Sequence, residues 1–155
     1  MRTEHQQRVE EFMMAAGQEL PTRPILPGPN IRELRARLIL EEALETIGAL
    51  GFSLSLRRHE DLDDYHKIGP WLYLSPTETP DLEEIIDGCC DISVVTIGTL
   101  SACGVPDQPF LEEVDSNNLA KFGPGGYRRD DGKWVKPPDH KPPQIARLLE
   151  EITNV

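Results

Sequence analysis

Leu38–Leu50 reads LILEEALETIGAL, an apolar helical run with Glu41, Glu42 and Glu45 set into its middle. At about 100° per residue, Ile31, Leu34, Leu38 and Ala49 fall within one stripe of roughly 60°. Glu45 projects into the centre of that stripe, with Glu41 and Glu42 on its two edges. Leu40, Ala43, Leu44 and Ile47 make the rest of the helix apolar as well, so much of its surface is expected to be covered. Glutamates in such a setting are not the solvated face of an ordinary surface helix.

A later segment, LEEIIDGCCDISVVTIGTLSAC from Leu82, repeats the arrangement. Asp87 and Asp91, four apart, share a face with Glu84, Val94, Val95, Gly98 and Ala102. Acids occupy its N-terminal half; the C-terminal half is small and apolar, which permits close approach of a neighbouring helix. If the two acidic patches face one another, repulsion and desolvation would raise several carboxyl pKa values unless a cation compensates. All-oxygen donors suit Mg2+, or Mn2+, whereas zinc prefers His or Cys. Acids on facing helices are also how helical bundles build metal sites. One patch alone would be read as a solvated surface; two embedded patches on separate helices favour metal ligation.

Working outward, TEHQQRVEEFMMAAG is a first helix with Thr3 as its cap and Gln6 reaching back. LPTRPILPGPN follows as a Pro-rich connection. Asn30 is then the expected cap of the helix already described, with Glu33 in the capping-box position, and Gly51 is its stop. Within residues 51–80, FSLSL and PWLYLSP alternate like two strands and predict a small hairpin insertion. The third helix starts near Thr79-Pro80-Asp81 and ends at Gly104. A fourth covers PFLEEVDSNNLAKF. GYRRDDGKWV reads as a short hairpin turning at Asp131-Gly132, and QIARLLEEI closes the chain as a last helix. The expected fold is all-α: a four- to five-helix bundle in one domain over 1–155, with the 51–80 insertion and a 123–155 tail carrying the hairpin and terminal helix.

The net charge of −11 excludes a broad basic surface, and with it a nucleic-acid polymer as partner. Charge is uneven: residues 121–147 hold seven Lys/Arg against three Asp, while the remainder holds nine basic and 24 acidic residues. That suits a site with carboxylates on one side and cations on the other. Cys89, Cys90 and Cys103 make no disulfide framework and read as buried thiols of a reducing compartment. No apolar run was expected to reach membrane-spanning length, and the polar start MRTEHQQRVEEF does not resemble a signal peptide. A cytoplasmic protein with no membrane partner is the expectation. Helices apolar on nearly all sides call for more covering than one small chain supplies, so a homo-oligomer is expected too.

The order EEALE, DGCCDISVVTIGTL, EVDSNNLAKF, DGKWVKPP resembles the all-α nucleoside triphosphate pyrophosphohydrolases, the MazG-like superfamily, and within it the phosphoribosyl-ATP-pyrophosphohydrolase-like branch. The likeness runs from about Asn30 to Pro143, the 51–80 insertion excepted. It implies hydrolysis between the α- and β-phosphates of a nucleoside triphosphate, giving the monophosphate and pyrophosphate, and assembly as dimers or tetramers. Glu42 and Glu45 match the metal ligands of the first motif and Asp91 the acid of the second. Many relatives carry Glu three residues before that acid; here Gly88 stands there, and Asp87 one position earlier is the substitute. Glu41, beside these ligands, is the candidate catalytic base that orients a water. Asn117 and Lys121, in step with Glu113 on the fourth helix, are candidate phosphate contacts, with Lys133 and Lys136 behind them. Trp71, Tyr127 and Trp134 carry no assignment. Two alternatives stand beside the nucleoside triphosphate reading: hydrolysis of phosphoribosyl-ATP, and a non-catalytic helical module that senses a nucleotide or binds a partner.

Overall fold

A computed structural model of the chain describes residues 1–56, 72–77, 79–130, 132 and 134–154. The remaining positions, Trp71, Asp131 and Lys133 among them, lie outside the described residues, as does the Leu56 side chain. Among the described residues there are five helices: α1 (Glu4–Ala15), α2 (Pro29–Ala49), α3 (Leu82–Ala102), α4 (Gln108–Ala120) and α5 (Ile145–Thr153). Strands β1 (Phe52–Leu56) and β2 (Leu72–Pro76) pair antiparallel, with Phe52 opposite Pro76 and Leu56 opposite Leu72. Strands β3 (Tyr127–Arg128) and β4 (Trp134–Val135) form a second, shorter antiparallel pair. This is the expected all-α class, with both hairpins where the alternation and the turn chemistry put them. The chain divides into two compact units, Met1–Pro27 with Ile97–Val155, and Gly28–Thr96.

In the first unit, Thr3 caps α1 as expected: its hydroxyl accepts from the Gln6 amide at 3.1 Å. The other half of the expected capping box is absent. Gln6 does not reach back; Asp107 does that work, its carboxylate accepting from the Thr3 amide at 2.8 Å and from the Thr3 hydroxyl. Gln6 is instead fully buried and spans to the loop between α3 and α4. Its Nε2 donates to Ser101 Oγ at 3.0 Å and to the Val105 carbonyl at 2.8 Å, and its Oε1 accepts from the Asp107 amide at 2.8 Å. A long-range partner has won over a local one because these backbone groups are buried and need satisfying. Val9, Met13, Ile97, Ala102 and Phe110 supply the apolar core around this network. At the end of α3, Gly104 has φ +69°, and a Cβ there would strike the carbonyl of Arg23. Only glycine allows both the left-handed turn and the close approach of that backbone.

In the second unit, α2 starts one residue before the expected cap. Gly28 precedes it, Pro29 takes the first turn, and Asn30 lies inside the helix without capping it. Proline has the better claim to that position, since its φ is already helical and its missing N–H costs nothing there. Glu33 accordingly faces outward and pairs with Arg37 at 2.7 Å. Asp81 opens α3, its carboxylate accepting from the Glu83 amide at 2.9 Å, while its own amide donates to the Ala49 carbonyl at 3.0 Å and ties the start of α3 to the end of α2.

Two further expectations give way here. An 18-residue window within α3 has a mean hydropathy of 1.5, long and apolar enough by length and composition to cross a membrane; 28% of it is buried. Cys89 and Cys90 on the same helix are exposed rather than buried, and Cys103 is half-buried. All three lie on one helix or just past its end, and among the described residues nothing covers Cys89 and Cys90.

Candidate active site

The acids of the second unit are positioned by the approach of α2 to α3. Their meeting point is Gly88 against Thr46: a Cβ built on Gly88 would collide with Thr46 Oγ1 and lie 3.2 Å from its Cβ and 3.3 Å from its Cα. Thr46 is buried, and its hydroxyl donates to the Glu42 carbonyl at 2.7 Å, which holds the side chain in place. Gly88 also explains the departure from the expected acid pattern. A side chain at 88 would run into Thr46 as it stands, and Asp87, one position earlier, is the acid this helix offers instead.

α2 is turned so that Thr46, which meets this glycine, lies on its covered face. Its covered residues are Arg35, Leu38, Ile39, Glu42, Ala43, Thr46, Ile47 and Ala49, whereas Ile31, Leu34, Leu40 and Leu44 are exposed. The covered face is therefore rotated by roughly 60° from the stripe the periodicity singled out. Glu42, expected at an edge, sits near the middle of the covered face, half-buried. Glu45, expected at the centre, is exposed, as is Glu41. On α3, Asp91 is half-buried and Asp87 exposed.

The carboxyl of Glu42 is pushed up from its ordinary 4.5, first by loss of hydration and then by the charges of Asp91, Glu45, Glu41 and Asp87, in that order. Carboxylates from both helices thus act on one group, and Asp91 of α3 acts on it more strongly than its own helix neighbours do. These are five of the residues the sequence nominated, and they all belong to one electrostatic neighbourhood. Among the described residues, however, no three His, Cys, Asp or Glu side chains are grouped as metal ligands would be. The donor chemistry fits a hard divalent cation, being oxygen only and mutually repelling; the side chains as placed do not converge on one point.

The cationic candidates belong to the other unit. Glu113 and Asn117 on α4 and Lys121 just past its end, spaced by four, follow one face as expected, and that face holds the C-terminal tail. Glu113 accepts from the Gln144 amide at 2.7 Å. Asn117 donates to the Lys141 carbonyl at 2.8 Å and lies 3.2 Å from the His140 ring nitrogen. The Lys121 carbonyl accepts from Trp134 Nε1 at 2.6 Å, and the Trp134 ring meets Phe122 at 4.9 Å. The Lys121 ammonium donates to Asn118 at 2.7 Å, Lys136 is exposed, and Lys133 lies outside the described residues. Asn117, Asp139, His140 and Lys141 also line a cavity of about 390 Å³ with Pro124 and Pro137.

Sequence reasoning missed Thr46 and Arg35 and gave Gln6 the wrong partner. Arg35 is a buried cation on the covered face of α2, two turns before Glu42. The one available signal was Gly88 itself, a glycine where an acid was looked for. A family model described as phosphoribosyl-ATP pyrophosphohydrolase matches residues 9–118. No curated protein matches the chain.

Proposed function

Starting from the phosphoribosyl-ATP pyrophosphohydrolase family, to which this chain belongs, we propose that it hydrolyses the α–β phosphoanhydride of a nucleotide triphosphate group and releases pyrophosphate. The observation that carries this reading is the family match over residues 9–118, and the meeting of acids of α2 and α3 around Glu42 supports it. Of the two substrates that share this chemistry, the family match favours phosphoribosyl-ATP. A wider action on (deoxy)nucleoside triphosphates is the second reading, supported by the 51–80 insertion and the long tail, which give room for a different recognition surface.

Glu42, Glu45, Asp87 and Asp91 are the residues that would hold Mg2+, or Mn2+. Such an ion, when bound, neutralises the carboxylates, offsets the charge of the phosphates and lowers the pKa of water. Glu42 and Asp91 hold the half-buried positions and so fix the depth of the site. Glu45 and Asp87, more exposed, are free to turn toward the phosphate side. Glu41, one residue from Glu42 and exposed, accepts the proton of the attacking water. Asn117, Lys121, Lys133 and Lys136 remain candidates for phosphate contact, a role for Asn117 requiring it to give up its bond to Lys141. The exposed Ile31, Leu34, Leu40 and Leu44 of α2 and Leu82 and Ile86 of α3 support assembly with further copies of the chain. That covering also accounts for the hydropathy of α3 without a membrane, in a cytoplasmic enzyme.

The test is a panel of phosphoribosyl-ATP and nucleoside triphosphates with Mg2+, scored separately for pyrophosphate and orthophosphate. Pyrophosphate release from one of them, lost in Glu45→Gln with the fold intact by circular dichroism, supports the reading. Orthophosphate as the sole inorganic product refutes it, and an unimpaired Glu45→Gln removes Glu45 from the site.

A further inference from the structure

We infer that the Gly88–Thr46 contact is the spacer that sets the distance between the acid pair of α2 and the acid pair of α3, and that these two residues are positioning residues for the cation site. This rests on the proposed metal-dependent reading. Gly88 lies between Asp87 and Asp91 on α3, and Thr46 directly follows Glu45 and is one turn from Glu42 on α2. The contact therefore sits inside the carboxylate cluster itself, and any change in it is passed to the ligands without attenuation.

A Cβ at 88 would collide with Thr46 Oγ1 and sit tight against Thr46 Cβ and Cα as well. Turning the hydroxyl aside would break its bond to the Glu42 carbonyl and would still leave Thr46 Cβ and Cα at 3.2 and 3.3 Å. Packed interiors yield only in part to such contacts, so the helices must part by a few tenths of an ångström. A shift of that size matters little to an ordinary surface and a great deal to ligands that must meet on one ion. Truncating Thr46 to alanine removes the worst of the overlap and leaves contacts only a few tenths of an ångström tight. The two positions should therefore compensate one another, which a residue serving only helix propensity would not do.

The experiment measures Mn2+ affinity of the full chain, without substrate, by isothermal titration calorimetry and by the electron paramagnetic resonance signal of free Mn2+. Gly88→Ala is expected to bind about tenfold or more weakly than wild type. Thr46→Ala with Gly88→Ala is expected to return to within about threefold of wild type. If Gly88→Ala alone does not fold, Thr46→Ser with Gly88→Ala takes its place, keeping the hydroxyl that bonds the Glu42 carbonyl and meets the added Cβ but not the γ-methyl, and must bind more weakly than Thr46→Ala with Gly88→Ala. Wild-type affinity in Gly88→Ala, or a double variant no better than its clashing counterpart, overturns the spacer and leaves the metal reading standing. A wild type that does not bind Mn2+ refutes both.

Discussion

Replacing Gln6 by alanine removes one side chain and strands three partners that lie about a hundred residues away in the chain. The Asp107 amide loses its acceptor, the Val105 carbonyl loses a donor, and Ser101 loses its bond to the amide. Ser101 can turn its hydroxyl toward another group, but the two backbone groups are fixed. An unsatisfied buried polar group costs about 1–3 kcal/mol, so the pair gives about 2–6 kcal/mol, centred near 4. For a chain of this length each kcal/mol moves Tm by about 2–4 °C, giving a drop of roughly 8–16 °C. The assay is thermal and urea unfolding of wild type and Gln6→Ala, with Gln6→Glu as the sharper comparison. Glutamate keeps an acceptor for the Asp107 amide but sets a second carboxylate near that of Asp107 and offers no donor to Val105, so it should be at least as harmful. A loss below about 1 kcal/mol in Gln6→Ala would refute the reasoning, because water would then be replacing the amide at little cost.

Two other outcomes follow from the same structure. The folded-state pKa of Glu42 is raised above 4.5, so the folded chain holds that proton more tightly than the unfolded chain. Its contribution to stability is complete below 4.5 and is lost as pH rises through the folded value; in EDTA, wild type should lose stability over that window relative to Glu42→Gln, and parallel unfolding curves would contradict this. Asn117→Ala should loosen the tail from α4, raising hydrogen exchange in residues 134–144 while leaving α1 and α3 protected; unchanged exchange would show that the bonds to Lys141 and His140 hold nothing.

Periodicity carried the element order because it depends on neighbours a few residues apart. The helices, the two hairpins and the stop at Gly104 all have local causes, and all were legible. The rotation of α2 was not. A helix apolar at Leu38, Ile39, Leu40, Ala43, Leu44 and Ile47 gives a nearly uniform surface, and such a surface does not say which side is covered. That choice depends on partners outside α2, Gly88 against Thr46 among them, and no pattern within α2 reports it. Gln6 was misread for a related reason: its capping geometry was locally sound, and a buried loop far along the sequence outbid it. The five acids, by contrast, were nominated together, since clustering of like charge in an apolar context is visible at short range, and the charges of the other four do act on Glu42. Their individual depths were not, because depth follows the rotation.

The central claim is that α2 and α3 contribute carboxylates to one cation site, and a double-mutant cycle on Glu42→Gln and Asp91→Asn tests it most directly. Mn2+ affinity is measured for wild type, both single variants and the pair. The account predicts strong coupling, of at least about 1 kcal/mol, with the second substitution costing far less than the first. Losses that simply add, or single variants that bind as wild type does, would contradict it.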